Sequence, residues 1–101
     1  MATTSKTLFR GAATTNTSTT LYTVPSATTT VVTDIIVSNT AGTSATFTLA
    51  IDGTAIASAM SIAASTIVQF SVKQTLTATK TITGGASATT VNFSLSGVEI
   101  A

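Results

Sequence analysis

The sequence predicts an all-β fold: a single small antiparallel β-sandwich or jelly-roll-like domain of seven to eight strands. Three observations carry this. Threonine supplies about a quarter of the residues, and its branched β-carbon favours a pleated strand over a helix. Short segments alternate apolar and polar with period two. Turn signals recur every 8–12 residues, and no segment of ordinary helix length shows a 3.6-residue period.

Residues 1–6 are small and polar and read as a flexible N-terminal arm, leaving 7–101 as the folded domain. Thr7 to Ala13 reads as a first strand, with Leu8 and Arg10 on one face and Phe9 on the other. Asn16 to Thr20 is turn-like. Thr20 to Val24 forms a short strand with Leu21 and Tyr22 on opposite faces. Pro25 ends it, because proline cannot donate to a sheet ladder.

Thr29 to Asn39 is the strongest strand. Strict alternation puts Val31, Ile35 and Val37 on one face and Val32 and Ile36 on the other, so both faces are covered. Gly42 marks a loop. Ala45 to Ile51 alternates cleanly, with Phe47, Leu49 and Ile51 inward. Asp52-Gly53 is a hairpin turn signal, since both residues tolerate positive φ. Thr54 to Ser65 is poorly periodic and reads as a short strand followed by a loop. Thr66 to Lys73 places Val68, Phe70 and Val72 inward. Thr75 to Thr83 alternates again until Gly84-Gly85 breaks it. Thr89 to Ile100 closes the domain, with Val91, Phe93 and Leu95 inward and Gly97 at a bulge or a close backbone approach.

Composition then bounds function. Charged residues make up 7% of the chain, net charge is +1 and mean hydropathy is +0.55. Soluble proteins usually carry roughly 25% charge. The polar faces here are built from Thr and Ser, so little electrostatic repulsion opposes association. Such a surface is cheap to desolvate and is expected to be covered by neighbouring subunits. The contact residues expected from the pattern are the apolar groups left outside the core: Val32, Ile36 and Ile67.

Catalytic chemistry has little to work with. The sequence has no histidine and no cysteine, and its acids are Asp34, Asp52 and Glu99. A nucleophile lacks a usual general base, so no catalytic residue is assigned. No cofactor or metal site is expected from three scattered acids. Asp52 is explained by its turn, Asp34 by a solvent-facing position or an inter-subunit ion pair, and Glu99 by a solvated charge. Lys6, Arg10, Lys73 and Lys80 are too dispersed for a nucleic-acid surface. No apolar run reaches the roughly 18 residues of a membrane helix, and no secretory h-region precedes Ala13. An unprocessed chain made in the cytoplasm is expected. One rival pattern is the alternation Thr75, Thr77, Thr79, Thr81, Thr83, which on one continuous strand would form a flat threonine ladder like part of an ice-binding face.

Thr20 to Gly53 reads TLYTVPSATTTVVTDIIVSNTAGTSATFTLAIDG. Its elements Leu21-Tyr22-Thr23-Val24-Pro25, the Val31–Asn39 strand and Phe47-Thr48-Leu49, with the closing run Val91-Asn92-Phe93-Ser94-Leu95-Ser96-Gly97-Val98-Glu99, resemble a small β-sandwich module that recurs in tailed-bacteriophage virion proteins. The segment after Pro25, Ser26-Ala27-Thr28, lacks the glycine of many relatives and leaves the turn type open. The resemblance implies a virion structural protein, as a capsid decoration or cement protein bound to the major capsid protein, or as a tail or fibre component involved in host adhesion. It also implies a homo-oligomer, such as a trimer, and no cofactor, nucleic acid or membrane partner. The short chain, without shaft or coiled coil, favours decoration.

Overall fold

The computed structural model describes residues 3–71 and 73–101. The inward placement expected of Val72 lies outside those residues, as do the first two residues of the expected arm. Among the described residues there are nine strands and no helix. They are β1 (Thr3–Ala12), β2 (Thr20–Thr23), β3 (Thr29–Asn39), β4 (Ala45–Ile51), β5 (Thr54–Ile62), β6 (Thr66–Phe70), β7 (Gln74–Leu76), β8 (Thr81–Ala86) and β9 (Val91–Ile100).

Two antiparallel sheets pack face to face. The first runs β1-β9-β3-β6, with β7 also paired to β3; the second runs β2-β8-β4-β5. The strand count exceeds the expected seven to eight because the stretches on either side of β6 hold more strand than their periodicity shows. β5 continues to Ile62 where a loop was expected, and β7 is a separate short strand. Two register irregularities against β4 and a positive φ of 46° at Ala59 explain why β5 looks aperiodic.

The core sits between the sheets. From β4, Phe47, Leu49 and Ile51 point inward; from β9, Val91, Phe93 and Leu95 do the same, as expected. Phe47 meets the Phe93 ring edge-on at 6.3 Å and the Phe70 ring tilted at 6.3 Å, geometries that suit the aromatic quadrupole. The Asp52-Gly53 hairpin has positive φ at both residues, 52° and 77°. The turn after Pro25 is made without glycine: Ala27 takes the left-handed position at φ 55°.

Bulges redirect several side chains. In β1 the register shifts between Thr7 and Phe9, in β2 between Thr20 and Tyr22, and in β3 between Val32 and Asp34. An extra residue in one strand reverses the alternation beyond it. Leu21 and Tyr22, expected on opposite faces, are therefore both buried. In β3 the bulge puts Thr30 and Val32 on the same inner face as Ile35 and Val37, while Val31 turns outward.

The N-terminal segment is not a loose arm. Thr3 to Thr7 pairs with Ile100 to Ser96 of β9, although its side chains stay exposed. Without it that half of β9 would have an unpaired edge.

Gly84 and Gly85, expected to end a strand, lie buried within β8. A Cβ on Gly84 would sit 2.6 Å from the Thr48 carbonyl oxygen, and one on Gly85 2.7 Å from the Asn16 carbonyl carbon. They let the Ala13–Thr19 loop lie on the sheet, where Ala86 N–H donates to Thr14 O and Gly84 N–H to Thr19 O, both at 2.9 Å.

Candidate functional site

The outer face of the first sheet is built from the outward residues of four strands. Register places Arg10, Ser94, Ile36 and Gln69 in one row across β1, β9, β3 and β6. The next row is Ala12, Asn92, Ser38 and Ile67. Ile36 opposes Gln69 and Ile67 opposes Ser38, so the two isoleucines are diagonal neighbours, within about 8 Å of each other. Ile36 is 36% and Ile67 70% exposed. Arg10 lies over β9, its Nε donating to Ser94 Oγ at 3.3 Å. The residues around the isoleucine pair are mostly Ser, Asn and Gln, with Arg10 as the one charge in the two rows. Asp34 is half-buried one row away, opposite Ser96.

Val32 does not join them. It was expected to be an outward contact residue, but it is fully buried, because the β3 bulge turns it into the core beside Ile35. Ile36 and Ile67 are the two expected contact residues the fold brings together.

The lateral edges of the sandwich differ. On one side β1 carries Lys6 and Arg10, and the Ala13–Thr19 loop closes the gap towards β8. That loop is braced by Asn16, whose Oδ1 accepts Ser18 N–H at 2.9 Å, and by the Thr14 and Thr19 hydroxyls at 2.6 Å. On the other side β5 and β6 are the sheet edges, and neither contains a charged residue. Here Val68 and Phe70 are only partly buried against the core. Ile56 (46% exposed) and Met60 (41%) stand out on β5. Sequence reasoning missed these two as surface groups because bulges hide the strand. The available signal was the uncharged run TAIASAMSI.

At the far end of the sheets, Tyr22 on β2 joins its hydroxyl to Thr30 Oγ1 at 2.8 Å and donates to the Glu99 carboxylate. Lys6 Nζ lies 3.3 Å from the same carboxylate. Glu99 is thus not a simply solvated charge: its side chain is 15% exposed and ties β1, β2 and β9 together. Burial pushes the Tyr22 phenol pKa up, and the bond to Glu99 adds to this. The Tyr22 hydroxyl, and then Lys6, hold Glu99 below the usual carboxylate range. A tyrosine made harder to ionise beside a carboxylate made harder to protonate is a clamp, since both shifts oppose proton transfer.

Asn39 is buried and fully engaged. Its Nδ2 donates to Thr43 O at 2.8 Å and its Oδ1 accepts Ala41 N–H at 3.1 Å, fixing the loop after β3. Among the described residues no three acidic, histidine or cysteine side chains cluster in metal-binding range, and no helix is long and apolar enough to cross a membrane.

The threonine ladder is broken. Thr75 lies on β7 in the first sheet, Thr81 and Thr83 lie on β8 in the second, and Thr79 turns the chain between them at φ 70°. The five hydroxyls share no face, which removes the geometry an ice-binding array requires.

No family model matches the chain, and no curated protein matches it.

Proposed function

We propose that this chain is a non-enzymatic structural protein of a phage virion, a capsid decoration or cement protein that binds the particle through the outer face of its first sheet. The observation that carries the reading is the Ile36–Ile67 pair, exposed on a sheet face whose neighbouring residues are mainly uncharged, with Arg10 and Asp34 as its charged members. Fold stability does not require an isoleucine 70% open to water. Docking would use it: covering apolar surface contributes about 25 cal/mol per Å², and the uncharged Ser38, Ser94, Asn92 and Gln69 around the pair cost less to desolvate than charges. The resemblance of Thr20–Gly53 and Val91–Glu99 to phage virion modules supports the same reading. Many copies, each with a modest interface, would be retained by multivalent attachment to major capsid protein or other virion subunits.

The test is co-sedimentation with purified particles and counting of copies. Wild type should sediment with capsids in hundreds of copies, a number set by repeated surface sites. Ile67→Lys should keep the melting temperature and lose at least about tenfold in particle affinity, as expected for a charge placed at the centre of an apolar contact. A few copies per particle would place the protein in the tail. Undiminished binding by Ile67→Lys would remove this face from the interface.

A further inference from the structure

We infer that the outer half of β1, residues 3–7, is a strap that opens and closes on the sandwich as one unit, hinged at the Leu8 bulge and latched by Lys6 on Glu99. Opening bares the edge of β9 over residues 96–100. The motion belongs to the isolated chain and does not depend on what the chain attaches to.

The first observation is how unevenly β1 is held. Every side chain of residues 3–7 is exposed. Their ladder to β9 is therefore opposed by the entropy of ordering them and is backed by no apolar burial. From Leu8 onward the strand is anchored: Leu8 is buried in the core, and Phe9 packs against it. Gly97 makes room for that anchor, since a Cβ there would sit 3.0 Å from Leu8 Cδ1. The register slips between Thr7 and Phe9, so the ladder is interrupted where the anchoring begins. That break separates a strap from a fixed strand.

The second observation is the latch. Among the described residues, the strap makes one side-chain polar contact, Lys6 Nζ to the Glu99 carboxylate at 3.3 Å. Glu99 does not rely on it. Tyr22 donates to the same carboxylate from β2, and Tyr22 is itself tied to Thr30 Oγ1 on β3. The catch therefore stays in place, with a hydrogen-bond partner, when the strap leaves. The charged and titratable groups facing Glu99 are Lys6 from β1 and Tyr22 from β2; β3 adds only the neutral Thr30. Protonating Glu99 removes the latch. Its contribution is present above the unfolded carboxylate value and is lost as pH falls through the lowered folded one.

The third observation is what opening leaves behind. On its other side the same stretch of β9 is paired to β3, with Ile100 opposite Thr29 and Ser96 opposite Asp34. The strand keeps its place in the sheet and gains a bare edge. A sheet edge covered by the protein's own strand is guarded against chance pairing, and here the guard is held by one ion pair.

The test is native-state hydrogen exchange of the full chain, read amide by amide by NMR. Amides along an antiparallel strand face its two neighbours in turn, so β9 carries its own control. The bonded amides of residues 3–7 and the β1-facing amides of residues 96–100 should share one opening constant, at least about a hundredfold larger than that of the core strands. The β3-facing amides of the same stretch should stay protected. Ile35 is fully buried, so Ile35→Val should speed core exchange about two- to tenfold and leave the strap's constant unchanged. Lys6→Ala should raise the strap's constant about two- to fivefold, and Lys6→Arg should restore it. Sodium chloride at about 1 M, or acid that protonates Glu99, should act on wild type as Lys6→Ala does and change that variant no further. Strap amides that exchange with the core's constant would overturn the inference. So would constants that fall residue by residue across residues 3–12 with no step at Leu8, a strap constant that follows Ile35→Val, or one that ignores Lys6→Ala. Particles enter none of these readouts, so this inference and the docking proposal fail separately.

Discussion

Single atoms decide more in this protein than its plain composition implies. At Gly84 the space for a β-carbon is already taken by the Thr48 carbonyl at 2.6 Å and Leu49 Cδ2 at 2.8 Å. Gly84→Ala should cost about 2 kcal/mol or more, since the obstacle is partly backbone and cannot rotate away. Gly42→Ala, with nothing within 4 Å, should be neutral or slightly stabilising. Urea midpoints of the two variants measure the contrast. The Tyr22–Glu99–Lys6 clamp predicts the pH response. Glu99 is held below its ordinary pKa, so its contribution is fully present above the unfolded carboxylate value and is lost as pH falls through the lowered folded value. Tyr22 is raised, so its contribution is present below the unfolded phenol value and is lost as pH rises through the raised one. Melting temperature should therefore sag at both acid and alkaline extremes. Glu99→Gln should flatten the acid limb, and Tyr22→Phe the alkaline limb. An acid limb unchanged in Glu99→Gln would assign it to other carboxylates.

At the scale of strands, the sequence shows faces well where alternation is unbroken. Phe47, Leu49 and Ile51 on β4 and Val91, Phe93 and Leu95 on β9 are inward as their spacing demands. It shows them poorly beyond a bulge, because one inserted residue reverses the pattern and leaves no mark in composition. Val32 went into the core for this reason, and β5 was hidden by the same effect. The Thr3–Thr7 segment was illegible for another reason: its partner in β9 is some ninety residues away, and nothing local announces it. Of the candidate surface, Ile36 and Ile67 could be read from alternation, whereas their diagonal adjacency required the β3–β6 register. The Thr3–Thr7 extension is wholly exposed and is separated from the core by the bulge at Leu8. Removing residues 1–6 should therefore leave the sandwich folded while costing about 1–2 kcal/mol from lost ladder bonds and the Lys6 contact. Urea denaturation measures this, and a chain that fails to fold would show that β9 depends on β1 for more than its edge.

The whole molecule is long and narrow, 46 × 21 × 18 Å, and it carries few charges over its length. Its two ion pairs among the described residues are Lys6–Glu99 at 3.3 Å and Lys80–Asp52 at 3.8 Å, and both lysines are about half exposed. Pairs with a solvent-exposed lysine contribute about 0–1 kcal/mol each even where the carboxylate, as at Glu99, is partly covered, and at 1 M salt the screening length falls to about 3 Å. Stability in this protein must then rest on apolar burial and sheet hydrogen bonding, neither of which sodium chloride screens. Raising sodium chloride from about 0.05 M to about 1 M should lower the melting temperature by no more than about 8 °C, since a combined loss of about 1 kcal/mol over the two pairs corresponds to about 4–8 °C at this size. Under the proposed function, attachment to particles should survive the same change. Sulfate, which is excluded from protein surfaces and strengthens apolar burial, should tighten it. Binding that fell steeply with sodium chloride would instead place Lys80, on the turn that leads into β8 of the second sheet, at the contact, and would move the interface away from the isoleucine pair.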